Sequence, residues 1–264
     1  MMPFYRPDDD PGPDFAALLK RSGLVNPPVR VESGDRHLIT HGTTCVAVRY
    51  GEGVVMAGDR RATSGNWISH RTIEKVFPAD RHSGVAIAGA AGPAIEMVRL
   101  FQLQLEHYEK VEGSQLSLEG KANQLSQMVR NNLPAAMAGM AVVPIFAGYD
   151  KARATGRLFQ YDITGGRYEE SDYAATGSGS LHASTVVKMG FRDGLTRDDA
   201  VNLVIHALWE AADEDSATGG PDLIRKIFPV VATINAQGFT RLDDVELEER
   251  SRTLIERVEG GDHS

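Results

Sequence analysis

The order in which short apolar runs and helical repeats alternate constrains this chain more than any other feature. "TTCVAVRY" and "GVVMAGD" are two apolar runs separated by "GEG", which predicts a hairpin with a glycine-containing turn. "HSGVAIAGA" predicts a third strand that ends in small residues. "PAIEMVRLFQLQLEHYEK" opens with proline and repeats apolar residues at Ile95, Val98, Phe101, Leu105 and Tyr108, which is helical spacing. A second helix, "SLEGKANQLSQMVRNNLPAAM", should bend or end at Pro134. "AVVPIFAGYD", "GRLFQYDITGG" and "RYEESDYAATG" predict three more strands. Two helices follow in "SLHASTVVKM" and "TRDDAVNLVIHALWEAADED", the latter with Thr196 as N-cap and Asp199 three residues on. "PVVATINAQGFTRL" reads as a closing hairpin and "ELEERSRTLIERV" as a terminal amphipathic helix. Strands, helix pair, strands, helix pair, strands is an α+β order. Two antiparallel sheets packed face to face, each covered by one helix pair, would bury every apolar face, giving a four-layer αββα sandwich.

Residues 1–42 stand apart from this pattern. They hold six of the twelve prolines, and "DDDPGPD" and "NPP" break any periodicity longer than "FAALLKRSGL", a candidate short helix. The segment reads as an extended, weakly structured leader to one globular domain. A net charge of -8, from 28 basic and 36 acidic residues, argues against nucleic acid as a partner. With Cys45 as the single cysteine there is no intrachain disulfide and no cysteine metal cluster, which suits a reducing compartment. No apolar run is long enough for a membrane helix, and acids and prolines occupy the place of a signal peptide, so the expected location is cytoplasmic.

The leader meets the domain at "HGTTCV", residues 41–46. Gly42 can be a turn glycine ahead of a strand, or the residue before a cut. Cleavage between Gly42 and Thr43 would give a terminus with both a hydroxyl nucleophile and an α-amine of reference pKa about 7.7–8.0, able to act as general base near neutrality. A glycine before that bond can adopt backbone conformations that expose its carbonyl to the next side chain. Cleavage after Thr44 would expose Cys45 instead, but the shift along an alternating strand displaces every partner, and Cys45 reads better as a buried strand residue.

Three downstream places offer partners. Asp59 closes an apolar strand in "MAGDRRATSGN", Lys75 lies in the apolar neighbourhood of "RTIEKVFP", and Gly89 in "AIAGAAG" sits where a strand ends and could lend an N–H to an oxyanion. Each also has a plain reading, as a turn aspartate, a solvated lysine and a packing glycine.

Taken in order, "TTCVAVRYGEGVVMAGDRRATSGNWI…EKVF…AIAGAAG…GSGS…DSATGGPDL" resembles the β-subunits of the proteasome core particle, a family of N-terminal-threonine peptidases, from Thr43 to the last hairpin. The resemblance implies the N-terminal-nucleophile hydrolase fold, a propeptide over residues 1–42, and self-cleavage between Gly42 and Thr43. It further implies Thr43 as nucleophile, its amine as base, Lys75 as the charge that favours the nucleophile's ionised form, Asp59 as the group that holds Lys75, and the Gly89 N–H as oxyanion donor. Ser178 matches a serine that bonds near the threonine amine. Asp215 matches the aspartate of Asp-x-x-Ser-Gly-Gly, while Thr218 departs from the usual serine but keeps a hydroxyl. A phosphate loop at "TGSGS" is disfavoured by the missing GK[ST] ending.

For the substrate, the resemblance implies that Thr63 pairs its backbone with an extended, unfolded polypeptide as an added strand. It places Ile87 at a pocket floor with Ala62, Ile73, Phe77 and Ala91 around it, so cleavage after hydrophobic residues is expected. It implies no cofactor and no metal. The implied partners are other copies in heptameric rings, proteasome α-subunits and, through them, a regulatory ATPase ring. Two alternatives remain: the simpler two-ring bacterial threonine peptidase, whose chains are shorter and begin almost at the threonine, and a catalytically silent ring subunit, which typically loses the threonine, lysine or glycine kept here.

Overall fold

The computed structural model describes residues 42–260, and the candidate helix "FAALLKRSGL" lies outside them. One antiparallel sheet has the order β10-β1-β2-β11-β12, built from β1 (Thr44–Tyr50), β2 (Gly53–Gly58), β10 (Tyr173–Gly177), β11 (Val230–Asn235) and β12 (Gly238–Arg241). A second runs β5-β6-β7-β8-β9, from β5 (Val76–Asp80), β6 (Ser83–Gly89), β7 (Val142–Asp150), β8 (Thr155–Tyr161) and β9 (Arg167–Glu170). Helices α1 (Ala91–Glu112), α2 (Leu118–Asn131) and α3 (Leu133–Met137) follow β6, α4 (Ser180–Gly190) and α5 (Arg197–Glu214) follow β10, and α6 (Asp244–Glu259) follows β12.

Strand alternation builds the four layers. Val46 and Val48 of β1 and Val55 and Ala57 of β2 pack with Ala183 and Val187 of α4 and with Val201, Val204 and Leu208 of α5. The opposite faces of those strands, Cys45, Ala47, Val54 and Met56, meet Ala86, Ile145, Ala147 and Leu158 of the other sheet. Its outer face, including Val85, Phe146 and Phe159, packs on Met97, Phe101 and Leu105 of α1 and Leu125 and Val129 of α2. Both sheets are therefore covered on two sides, which is why β1, β2 and β6 read as continuous apolar runs rather than alternating ones.

The breaks expected from local chemistry are found. The helix before Pro134 ends at Asn131, and Pro134 sits in the first turn of α3, where its missing N–H costs nothing. The Thr196 side chain accepts from the Asp199 amide at the start of α5. Pro144 lies inside β7, opposite Ile87, whose own amide donates to the Lys75 carbonyl on the other side. Position 144 thus owes β6 no hydrogen bond, and pairing with β8 begins only at Ile145.

Three features depart from the sequence reading, the first being strand β5, whose stretch was read only for Phe77 and for the lysine that precedes it. "RYEESDYAATG" is two strands: β9 edges the second sheet, and after a bend at Ser171–Asp172 β10 joins the first, with the Arg49 amide donating to the Asp172 carbonyl at 2.8 Å. Hydropathy cannot tell one strand from two that change sheets. A two-stranded ribbon, β3 (Ala62–Ser64) with β4 (Trp67–His70), was also not anticipated; β4 is exposed throughout and carries no burial pattern to read.

Candidate active site

Antiparallel pairing gathers the predicted residues at one end of the sandwich. Cys45 pairs with Gly58 and Thr44 with Gly177, so Thr43 just before β1, Asp59 just after β2 and Ser178 just after β10 are brought to the same edge. From the second sheet, Lys75 immediately precedes β5 and Gly89 ends β6. Asp215 arrives as the C-cap of α5.

Asp59 and Lys75 form a buried ion pair at 2.5 Å, with side chains 0% and 4% exposed. Asp59 is held by more than the lysine: Oδ1 also accepts from the Thr44 amide at 2.8 Å, and Oδ2 accepts from the Arg61 and Gly219 amides at 2.8 and 2.9 Å. Charge-assisted bonds of this kind fix a carboxylate in place. Lys75 Nζ also donates to the Arg61 carbonyl at 2.7 Å and lies 3.4 Å from the carbonyl oxygen of Gly42. Thr43 Oγ1 donates to that same carbonyl oxygen at 2.8 Å. The uncut Gly42–Thr43 bond thus has a hydroxyl and an ammonium converging on its carbonyl. A Cβ at Gly42 would lie 1.8 Å from Ala217 Cβ, so space requires glycine there. Gly89 has φ +113°, and a Cβ would come within 2.0 Å of the Ala141 carbonyl oxygen, so no other residue fits this strand end.

A second network flanks the Thr43 nitrogen. Ser178 Oγ is 3.4 Å from that nitrogen and donates to Asp215 Oδ2 at 2.5 Å; Thr218 Oγ1 donates to the same oxygen at 2.6 Å, and the Ala217 amide donates to Oδ1 at 3.0 Å. Burial works to raise the Asp215 pKa, but the donors from Ser178, Thr218 and Ala217 together outweigh it and hold the carboxyl below its usual range. Thr218, the departure from serine, therefore keeps its hydroxyl where a serine's would be needed.

A small pocket opens beside Thr43, lined by Ala62, Ile73, Ile87 and Ala91 of the residues expected around it, by Lys75 and Gly89 of the expected catalytic set, and by Glu74, Ala94 and Ile95, for which no role was expected. Ala94 and Ile95 belong to the first turns of α1, where helical periodicity marks them as core. Phe77 does not line it: its side chain packs with the core between the second sheet and its helices. Thr63 accepts from the Gly42 amide at 3.2 Å, placing it beside the bond rather than in the pocket. Cys45 is fully buried between the sheets with Sγ 3.5 Å from the Ile87 carbonyl; burial pushes its thiol up to about 12 against the opposing pull of Lys75, which leaves it inert as a nucleophile.

A proteasome subunit family model matches residues 39–225, which includes the junction, both networks and the pocket. The chain belongs to the proteasome subunit family. Among its relatives are proteins called proteasome subunit beta from Acidimicrobium ferrooxidans, 61% identical over 97% of this chain and 94% of that one, and from Streptomyces griseus, 61% identical over 82% and 77%. A third, from Acidothermus cellulolyticus, is 54% identical over 92% and 85%. Within the proteasome family the chain is a prokaryotic β-type subunit, a threonine-type endopeptidase with the N-terminal-nucleophile hydrolase fold. Among the described residues, no helix is long and apolar enough to cross a membrane.

Proposed function

We propose that this β-type subunit matures by cutting its own Gly42–Thr43 bond and then hydrolyses unfolded polypeptides with Thr43 as nucleophile. One observation carries the reading: Thr43 Oγ1 lies 2.8 Å, and Lys75 Nζ 3.4 Å, from the carbonyl oxygen of the residue before it. Thr43 Oγ adds to the Gly42 carbonyl carbon, the bond to the Thr43 nitrogen breaks with the hydroxyl proton ending on that nitrogen, and water hydrolyses the ester to release the leader's carboxylate. The freed α-amine, with a reference pKa of about 7.7–8.0, then takes the hydroxyl proton in each round of substrate cleavage. Lys75, held by Asp59, stabilises the charge that develops on Oγ, and the Gly89 N–H receives the substrate oxyanion. Ser178, Asp215 and Thr218 hold the amine. Thr63 guides the extended substrate, and the apolar pocket around Ile87 favours hydrophobic residues before the cut.

The chain works with α-subunits and other copies of itself in stacked rings in the cytoplasm, where an ATPase ring delivers unfolded substrate through the α-subunits. Covering Thr43 with residues 1–42 until the chamber closes keeps a poorly selective protease harmless.

The test is the intact mass of the chain after assembly with its α partner. A chain that begins at Thr43, and a Thr43→Ala chain that keeps its leader and cleaves nothing, are expected. A start at Cys45, or normal peptidase activity in Thr43→Ala, overturns the assignment of the nucleophile. A full-length chain in a closed particle points to the silent ring subunit.

A further inference from the structure

Thr44, fully buried, touches both networks. Its amide donates to Asp59 Oδ1 at 2.8 Å, and its hydroxyl lies 2.6 Å from Thr218 Oγ1 and 3.0 Å from the Gly179 amide. The directions of these bonds can be worked out. A carboxylate only accepts, so Thr218 and Ser178 must both spend their single protons on Asp215 Oδ2. The contact between Thr44 and Thr218 then has Thr44 as donor. Gly179 N–H supplies the Thr44 oxygen, leaving the Thr44 proton free for Thr218. Ser178 Oγ, its proton committed, has only lone pairs to offer the Thr43 nitrogen. One polarised chain thus runs from Gly179 through Thr44 and Thr218 to Asp215, and meets there the bond from Ser178 beside Thr43.

Gly179 supports this independently. Its φ of -86° is open to any residue, yet a Cβ would lie 2.5 Å from Thr44 Oγ1 and 2.8 Å from Thr218 Oγ1. The hydroxyl pair itself excludes a side chain at this position.

We propose that the Thr44 hydroxyl is a positioning group: by donating to Thr218 it keeps Thr218 donating to Asp215, and so keeps the Ser178 oxygen turned to accept an N–H from the Thr43 amine, whose lone pair remains available as base. The proposal rests on Thr43 being the nucleophile. Removing the hydroxyl leaves the buried Gly179 amide without that acceptor and the Thr218 oxygen without its donor, so the chain loses its direction.

The experiment uses particles assembled with the α partner and a peptide substrate with a hydrophobic residue before the cut. Thr44→Val is expected to lower kcat about tenfold with KM unchanged and to slow leader removal, and Thr44→Ser to recover most of the loss. Thr218→Val should give a comparable loss, and the double variant no more than either alone, because both act on one chain. Gly179→Ala, which crowds the same hydroxyls, should lower kcat in the same way and provides the readout if Thr44→Val does not assemble. Unchanged kcat in Thr44→Val or Gly179→Ala, losses that multiply in the double variant, or a loss that serine does not recover would overturn the proposal. Activity in Thr43→Ala would instead remove the nucleophile reading beneath it, whatever the Thr44 variants do.

Discussion

Two lysine–aspartate pairs, each at 2.5 Å and each with a buried lysine, serve this domain in different ways. Lys75–Asp59 stands at the open end of the sandwich, and Lys121–Asp80 joins α2 to the turn between β5 and β6. Asp80 takes the His82 amide and the Ser83 hydroxyl on Oδ1 and the lysine on Oδ2, all within one hairpin and the helix above it. Asp59 takes three backbone amides from three separate segments besides its lysine. With that support it does not need Lys75 for its own solvation, so Lys75 is free to direct its remaining hydrogen-bonding capacity at the Gly42 carbonyl. Among the described residues Lys121 has no comparable target, and it fastens the hairpin. A buried ion pair is weak evidence for stability or function until its remaining donors and acceptors are traced.

The contrast breaks most plainly if the lysines are exchanged for methionine. Lys75→Met should lower kcat by about a thousandfold and retain the leader, because it removes charge stabilisation at the reacting oxygen; peptidase assays and intact mass would reveal it. Wild-type turnover in that variant would erase the distinction between the pairs. Next in size, Asp59→Asn should destabilise the fold by about 4 kcal/mol, since each oxygen accepts from two donors and the new NH2 must face two of the four. Lys121→Met should cost about 3 kcal/mol in thermal or denaturant unfolding, with kcat per folded particle unchanged. Asp80→Asn should cost about 3 kcal/mol as well: the amide oxygen can replace Oδ1, but the Lys121 ammonium, with its side chain 6% exposed, is left without a counter-ion and facing an NH2.

The smallest effect is in pH. Burial works to raise the Asp80 pKa, but Lys121 and the Ser83 and His82 donors outweigh it, so the folded value lies below the unfolded one of about 3.9. The stabilisation is therefore complete above the ordinary carboxylate range and is lost as pH falls through the depressed folded value. Lys121→Met should move the acid-unfolding midpoint to higher pH. A midpoint unmoved by the loss of Lys121 would show that the lysine does not hold that carboxylate.

Much of the fold is legible in the sequence. Strands buried on both faces leave continuous apolar runs, helices leave a 3.6-residue period, and Pro134 and Thr196 mark boundaries through local chemistry. The ribbon β3–β4 and the passage of β10 to the other sheet left no such mark, because β4 is exposed throughout beside a β3 of only three residues, and the passage depends on which strand offers a free edge. At the site, the residue types at 43, 59, 75 and 89 and their order were legible through the family likeness. Phe77 was misplaced as a pocket residue because its packing is decided by the helices above it, not by its neighbours in sequence.

By itself, then, the sequence determined the layer order and the supply of chemical groups, the glycine and threonine of the junction among them, since these follow from local periodicity and side-chain type. Only the tertiary structure decided which groups meet: Asp59 with the Gly219 amide, Thr44 with Thr218 and Gly179, and Ser178 with Asp215. Those partners lie 37 to 174 residues apart. They converge because antiparallel strands of two sheets begin and end at one edge, and hydrogen bonds a few ångströms long are selective only once that edge exists.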